Sequence, residues 1–143
     1  MPQLGGAFAP ADDVALGGNL SVAGSILSTG TAALGYSAGG GVVTQITSKS
    51  TAVILHKLTG AVTMHNANIL TLAPVSFAVT NSFVAATDTV IVNHASGGTA
   101  GAYTCTVGAV GTGSFTLTVF NNTAGTLGEA IVLRFTVLKS VSA

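Results

Sequence analysis

From Thr51 to Lys139 the sequence keeps returning to one pattern: short runs in which apolar and hydroxyl-bearing residues alternate, cut by Gly, Asn and Ser. "PVSFAVTNS" (74–82) sets Val75, Phe77 and Val79 against Ser76, Ala78 and Thr80. "GSFTLTVFN" (113–121) sets Phe115, Leu117 and Val119 against Thr116 and Thr118. A period of two is that of a strand with one face buried. "TAVILHKL" (51–58), "AVTMHNA" (61–67), "TDTVIVNHA" (87–95), "AYTCTVGAV" (102–110) and "EAIVLRFTVLK" (129–139) complete the set. Thr59-Gly60 reads as a turn between the first two, and "SGGTAG" (96–101) as a mobile hairpin loop. No stretch keeps a helical period. Strands recurring about every ten residues between turn residues predict an all-β, antiparallel, jelly-roll-like sandwich over residues 36–143.

A different pattern precedes it. Gly18, Gly24 and Gly30 recur at a fixed interval, followed two places on by Leu20, Ile26 and Ala32 and four places on by Val22, Ser28 and Leu34. Each unit alternates like a strand, with glycine allowing a turn or a close backbone approach. So short a ribbon cannot bury its apolar side alone. Wound around two identical copies it can, so residues 14–35 are expected to form a short hexad-repeat shaft of a homotrimer, with Leu20, Val22, Ile26 and Leu34 facing the shared axis. Residues 1–13, "MPQLGGAFAPADD", keep no period and are expected to be an extended anchoring arm, with Leu4 and Phe8 docking into a partner.

Charge sharpens the expectation of assembly. Only 8 of 143 residues are Lys, Arg, Asp or Glu, or 6%, against roughly 25% in an ordinary soluble domain. A free particle normally keeps away from its copies by surface charge, and near-zero net charge favours association. The last strand points the same way. Ile131, Leu133, Phe135 and Val137 make one wholly apolar face, while Val132 and Leu138 share the other with Arg134 and Thr136. Such a strand is buried on both sides, the second at a subunit contact. Arg134 there needs a carboxylate, so Asp88 or Glu129, of its own or a neighbouring chain, is expected within ion-pair reach.

The residue inventory holds little chemistry. The cations Lys49, Lys57, Arg134 and Lys139 are scattered and form no basic stripe, which argues against nucleic acid. His56, His65 and His94 have no ligand-like spacing, so no metal is expected. Asp88 and Glu129 stand far apart in sequence, and no nucleophile elbow, phosphate loop or dinucleotide fingerprint occurs. The expectation is a protein that is not an enzyme and takes no cofactor. Cys105 alternates with Tyr103 and Val107 as a core thiol. There is no signal-peptide pattern, and no apolar run approaches a membrane span, so the chain is expected to be made in the cytoplasm and built into something larger.

"LGYSAGGGVVTQITSKSTAVILHKLTGAVTMHNANI", Leu34 to Ile69, resembles a module of the structural proteins of tailed bacteriophages. The features that carry the likeness are Gly35-Tyr36, the glycines 39 to 41, Val43-Thr44-Gln45 and Thr47-Ser48-Lys49-Ser50-Thr51. The runs "PVSFAVTNSFVAATDTVIVNHASGGTAGAYT" and "GSFTLTVFNNTAGTLGEAIVLRFTVLK" continue it over about three quarters of the chain. The resemblance implies a virion component, the distal domain of a tail or head fibre, and an oligomer. With almost no shaft and no large attachment domain, this chain fits a capsid decoration protein or head fibre whose arm clasps the shell. A tail fibre tip or short tail appendage binding host surface glycan is the rival reading.

Overall fold

A computed structural model of the chain describes residues 17–18, 20–25, 35–36 and 40–141. The chain divides into two units, Met1–Gly35 and Tyr36–Ala143. The expected arm with Leu4 and Phe8 lies outside the described residues, as do Ile26 and Leu34 of the expected shaft. Leu20 and Val22 are exposed, and residues 20–25 form no strand within one chain.

The second unit is all-β, with no helix among the described residues. Its strands are β1 (Gly41–Thr44), β2 (Val53–Ile54), β3 (Thr59–Thr63), β4 (Pro74–Thr80), β5 (Thr89–Ser96), β6 (Tyr103–Gly111), β7 (Ser114–Asn121) and β8 (Val132–Leu138). They form two four-stranded sheets, ordered β1-β3-β8-β5 and β2-β4-β7-β6. The alternation does what its period requires. Phe77 and Val79 of β4 and Phe115, Leu117 and Val119 of β7 point inward from one sheet. Val62 of β3 and Leu133, Phe135 and Val137 of β8 point inward from the other. All belong to one core, and the Phe115 and Phe135 rings meet edge to face across it with centroids 5.0 Å apart. The arrangement is β-sandwich-like.

Two expectations are corrected. The sheets are mixed rather than antiparallel, because β1 pairs with β3, and β2 with β4, in parallel. The cause is the path of the chain. It reverses direction at every connection, and it changes sheet after each strand except between β6 and β7. Strands an even number apart therefore run the same way, while β3–β8, β5–β8, β4–β7 and β6–β7 are antiparallel. Secondly, Thr59-Gly60 is no turn but the start of β3, and only Val53 and Ile54 of the 51–58 run pair as a strand. Leu55 instead plugs the space beside Gly41 and Gly60, which are register partners. A Cβ on Gly60 would lie 2.6 Å from the Leu55 side chain and 2.9 Å from the Phe135 ring, so the close packing needs glycine.

Reversal at every connection has one further result. The segments 45–52, 64–73, 97–102 and 122–131 all gather at one end of the unit. Gly40 leads into β1, and Leu138 leaves β8, at the opposite end.

Candidate functional site

The four long loops at that end are tied together by three buried polar side chains, Gln45, Lys49 and Asn121, and by the half-buried Glu129. Gln45 Nε2 donates to the carbonyls of Lys49 at 3.1 Å and Thr51 at 2.7 Å, closing its own loop. Its Oε1 accepts the His65 amide at 3.2 Å, joining the loop that follows β3. Lys49 is 2% exposed, and its Nζ donates to the carbonyls of His65 and Glu129. Glu129 then reaches the fourth loop: Oε2 accepts the Thr99 amide at 2.9 Å and Oε1 the Thr99 hydroxyl at 2.8 Å. The Tyr103 hydroxyl donates to Oε2 at 2.6 Å. Asn121, 0% exposed, donates to the carbonyls of Ile69, Leu70 and Gly125, and accepts from the Thr123 amide and hydroxyl. Buried polar groups are tolerable only when satisfied, and among the described residues no buried side-chain N or O lacks a partner.

"SGGTAG" is accordingly not a hairpin. It crosses from β5 of one sheet to β6 of the other and is fastened through Thr99. Gly98 makes the fastening possible: φ is +65°, and a Cβ there would sit 2.7 Å from Ile131 and 3.0 Å from Glu129 Oε2. The loop end presents Leu70 and Leu72, 66% and 62% exposed, with Leu72 at φ +50°. A leucine held in that region is strained unless its surroundings over-determine it. Here Asn121 grips the preceding carbonyls, and the Leu72 amide donates to Thr123 O at 3.3 Å.

Burial lowers the pKa of the Lys49 amine, an effect the Glu129 carboxylate partly offsets. Hydrogen bonds from the Tyr103 hydroxyl first, then from the Thr99 amide and hydroxyl, hold the Glu129 carboxyl below its ordinary 4.5. Burial, with Glu129 beside it, keeps the proton on Tyr103. At the other end, Asp88 is held below its ordinary 3.8 by the Ala85 amide and then by Lys139. Both carboxyls give up their protons more readily folded than unfolded. Their stabilising contribution is therefore full above the ordinary values and is lost as pH falls through the lowered folded ones. Thermal midpoints should stay level from about pH 7 to 5 and fall below about pH 4, with a shallower fall in Glu129→Gln. An equally steep fall in that variant would show that Glu129 plays no part.

The residues singled out from the sequence are dispersed. Asp88 pairs with Lys139 at 2.5 Å, not with Arg134, and Glu129 is taken by Tyr103 and Thr99. The expected Arg134 pairing is thus not made within the chain. Asp88 sits where the C-terminal end of β8 meets the loop before β5, within reach of Lys139, whereas Arg134 points outward from mid-strand. The histidines do not converge. His56 Nδ1 accepts the Ser82 amide, His65 Nδ1 accepts the Ala67 amide, and His94 Nε2 lies 2.8 Å from Gly97 O. Among the described residues no group of three potential metal ligands forms. Cys105 is half-buried on β6, and burial raises its thiol pKa. Among the described residues no helix is long and apolar enough to cross a membrane.

Sequence reasoning did not single out Gln45, Lys49 and Asn121 as site residues. The available signal was the polar block Gln45 to Thr51, too specific for a plain loop. Compared with protein-family models, curated proteins and solved structures, the chain matches none of them.

Proposed function

We infer that this protein is a non-enzymatic structural component of a tailed-phage virion, of capsid-decoration or head-fibre type. In this reading three chains wind together through residues 14–35, burying Leu20, Val22, Ile26 and Leu34. Residues 1–13 clasp the shell through Leu4 and Phe8, and the β-unit is displayed outward. Three weak arm contacts then act together, because the trimer fixes them near one another. The observation that carries the reading is that eight strands contain a single Lys, Arg, Asp or Glu, Arg134. The outer face of β4, β7 and β6 offers Ser76, Thr80, Thr116, Thr118, Thr104 and Thr106 instead. Such a face is hydrated but repels nothing, which suits a surface that spends its life beside other copies or a shell.

The exposed amides of Asn66, Asn68 and Asn122 at the loop end favour one second reading, a tail appendage tip that binds host glycan. Sedimentation equilibrium at micromolar concentration is expected to give a trimer, and Leu20→Asp with Ile26→Asp to dissociate it. A wild-type species of 13.9 kDa defeats the reading. Gold labelling of the C-terminus on particles separates the two placements: head label supports decoration, label at the tail tip the second reading, and unlabelled particles neither.

A further inference from the structure

Each sheet ends on a short strand at one side and a long one at the other. β1 and β2 hold four and two residues, β5 and β6 eight and nine. An edge strand leaves a row of unpaired N–H and C=O groups that templates another strand, and proteins blunt it by shortness, proline or charge. β1 and β2 are blunted by shortness. β6 has no such protection: from Tyr103 to Gly111 it carries no Pro, Lys, Arg, Asp or Glu. Its pairing with β7 is regular from Tyr103 to Val107 and shifts register between Val107 and Val110.

Which backbone groups this edge offers follows from one hydrogen bond. The Asn122 amide donates to Ala102 O at 2.9 Å, continuing the β6–β7 register, so Ala102 turns its backbone toward β7. Successive residues of an antiparallel strand face opposite sides. Thr104 and Thr106 therefore also bond toward β7, while Tyr103, Cys105 and Val107 turn N–H and C=O to the open side. The stretch Tyr-Thr-Cys-Thr-Val reads almost alike in both directions. A second copy laid antiparallel about a two-fold axis at Cys105 sets Thr104 opposite Thr106 and Tyr103 opposite Val107. Hydroxyl pairs and aromatic–β-branched pairs are favourable cross-strand neighbours, and no like charges meet.

We propose that β6 is a self-pairing edge, in which Tyr103–Val107 of two copies join antiparallel about Cys105 and merge their β2-β4-β7-β6 sheets. The outward residues of the two copies form three hydrogen-bonded pairs, about six hydrogen bonds in all. The exposed Thr104 and Thr106 carry the uncharged outer face across the junction. The register shift after Val107 limits the contact, and two-fold symmetry closes it. So small a contact is weak between free molecules and gains when copies are arrayed side by side. A threefold trimer has no two-fold axis, so the pairing joins chains of different trimers. It goes beyond the reading above and does not need it, since single chains would pair in the same way.

A mixing experiment tests the register. Thr104→Cys and Thr106→Cys are each made in a Cys105→Ser background and oxidised with copper phenanthroline, apart and mixed. Opposed positions lie within disulfide reach, whereas each position stands two places along from its own copy. The mixture should yield about tenfold more chains linked in twos on a non-reducing gel than either variant alone. Charge supplies a second arm, read by sedimentation velocity well above micromolar concentration. Thr104→Lys with Thr106→Lys sets lysine against lysine and should weaken self-association by about tenfold or more. Thr104→Lys with Thr106→Glu sets opposite charges there and should restore it at low salt. Both positions are exposed, so the fold accepts either pair. A mixture that links no better than its components overturns the register. Association indifferent to the lysines overturns the edge, and a wild-type mass that does not grow with concentration overturns the pairing. The trimer stands or falls separately, on the Leu20 and Ile26 substitutions.

Discussion

Lys49→Ala is expected to destabilise the β-unit by about 3 kcal/mol, measured as a lower midpoint in urea with an unchanged slope. The substitution withdraws the donor shared by the His65 and Glu129 carbonyls and leaves a space where a long side chain was enclosed. Lys49→Met keeps most of the volume and removes the burden of burying a charge, so its loss should be smaller, about 1 kcal/mol. The difference between the two separates filling from fastening. Alkaline pH offers an independent reading. Because burial holds the amine below its ordinary 10.5, the unfolded chain binds the proton more tightly in that window. Wild-type stability should then rise with pH as the window is crossed, and the alanine variant should lack this rise. Wild-type midpoints in both variants would mean that the loops are held by other contacts.

Asn121→Leu should have a larger effect, about 4 kcal/mol. Leucine is close in size, but it leaves the Thr123 amide without its acceptor. It also withdraws one of two donors from each of the Ile69, Leu70 and Gly125 carbonyls, which keep the Leu127 amide, the Ala73 amide and the Thr123 hydroxyl. The damage should be local before it is global. Hydrogen exchange at Ile69 and Leu127, which exchange backbone hydrogen bonds across the loops, should accelerate more than exchange on β7 and β8. With its clamp gone, Leu72 should leave the left-handed region, and protease sites at Leu70 and Leu72 should open. Uniform acceleration throughout the unit would show that Asn121 supports the whole core rather than the loop end.

The strands were legible where one face is apolar and the other carries hydroxyl-bearing residues, as in β4 and β7, because there the period of two is set by the core itself. β8, expected to be buried on both sides, leaves Arg134 and Leu138 exposed within the chain. β1 was not legible. Its four residues begin at the last glycine of a cluster and are held as a strand by pairing with β3, a partner remote from any local signal. The 51–58 run misled for the opposite reason. Its β-branched and large apolar residues satisfy strand propensity, yet Leu55 leaves the sheet to fill the gap that Gly41 and Gly60 create. Parallel pairing was likewise hidden, since the pattern of one strand does not disclose which sheet it joins. At the loop end, Thr99 and Glu129 carry no mark of their mutual bonding, being thirty positions apart. Lys49 was misjudged because lysine is so seldom enclosed that only three-dimensional proximity to two carbonyls reveals it. The Arg134 expectation failed within the chain because counting acids does not locate them.

The habit of changing sheets after nearly every strand has a kinetic consequence. Only β6 and β7 are neighbours both in the chain and in a sheet; β8 must find β3 and β5, and β7 must find β4, across long intervening stretches. Closing such distances precedes any reward from contact, so refolding belongs to the slow regime of about milliseconds to seconds, with the β6–β7 ribbon as its natural nucleus. While it lasts, uncharged strands stand open to one another, and dilution becomes the condition under which this chain finds its own partners first.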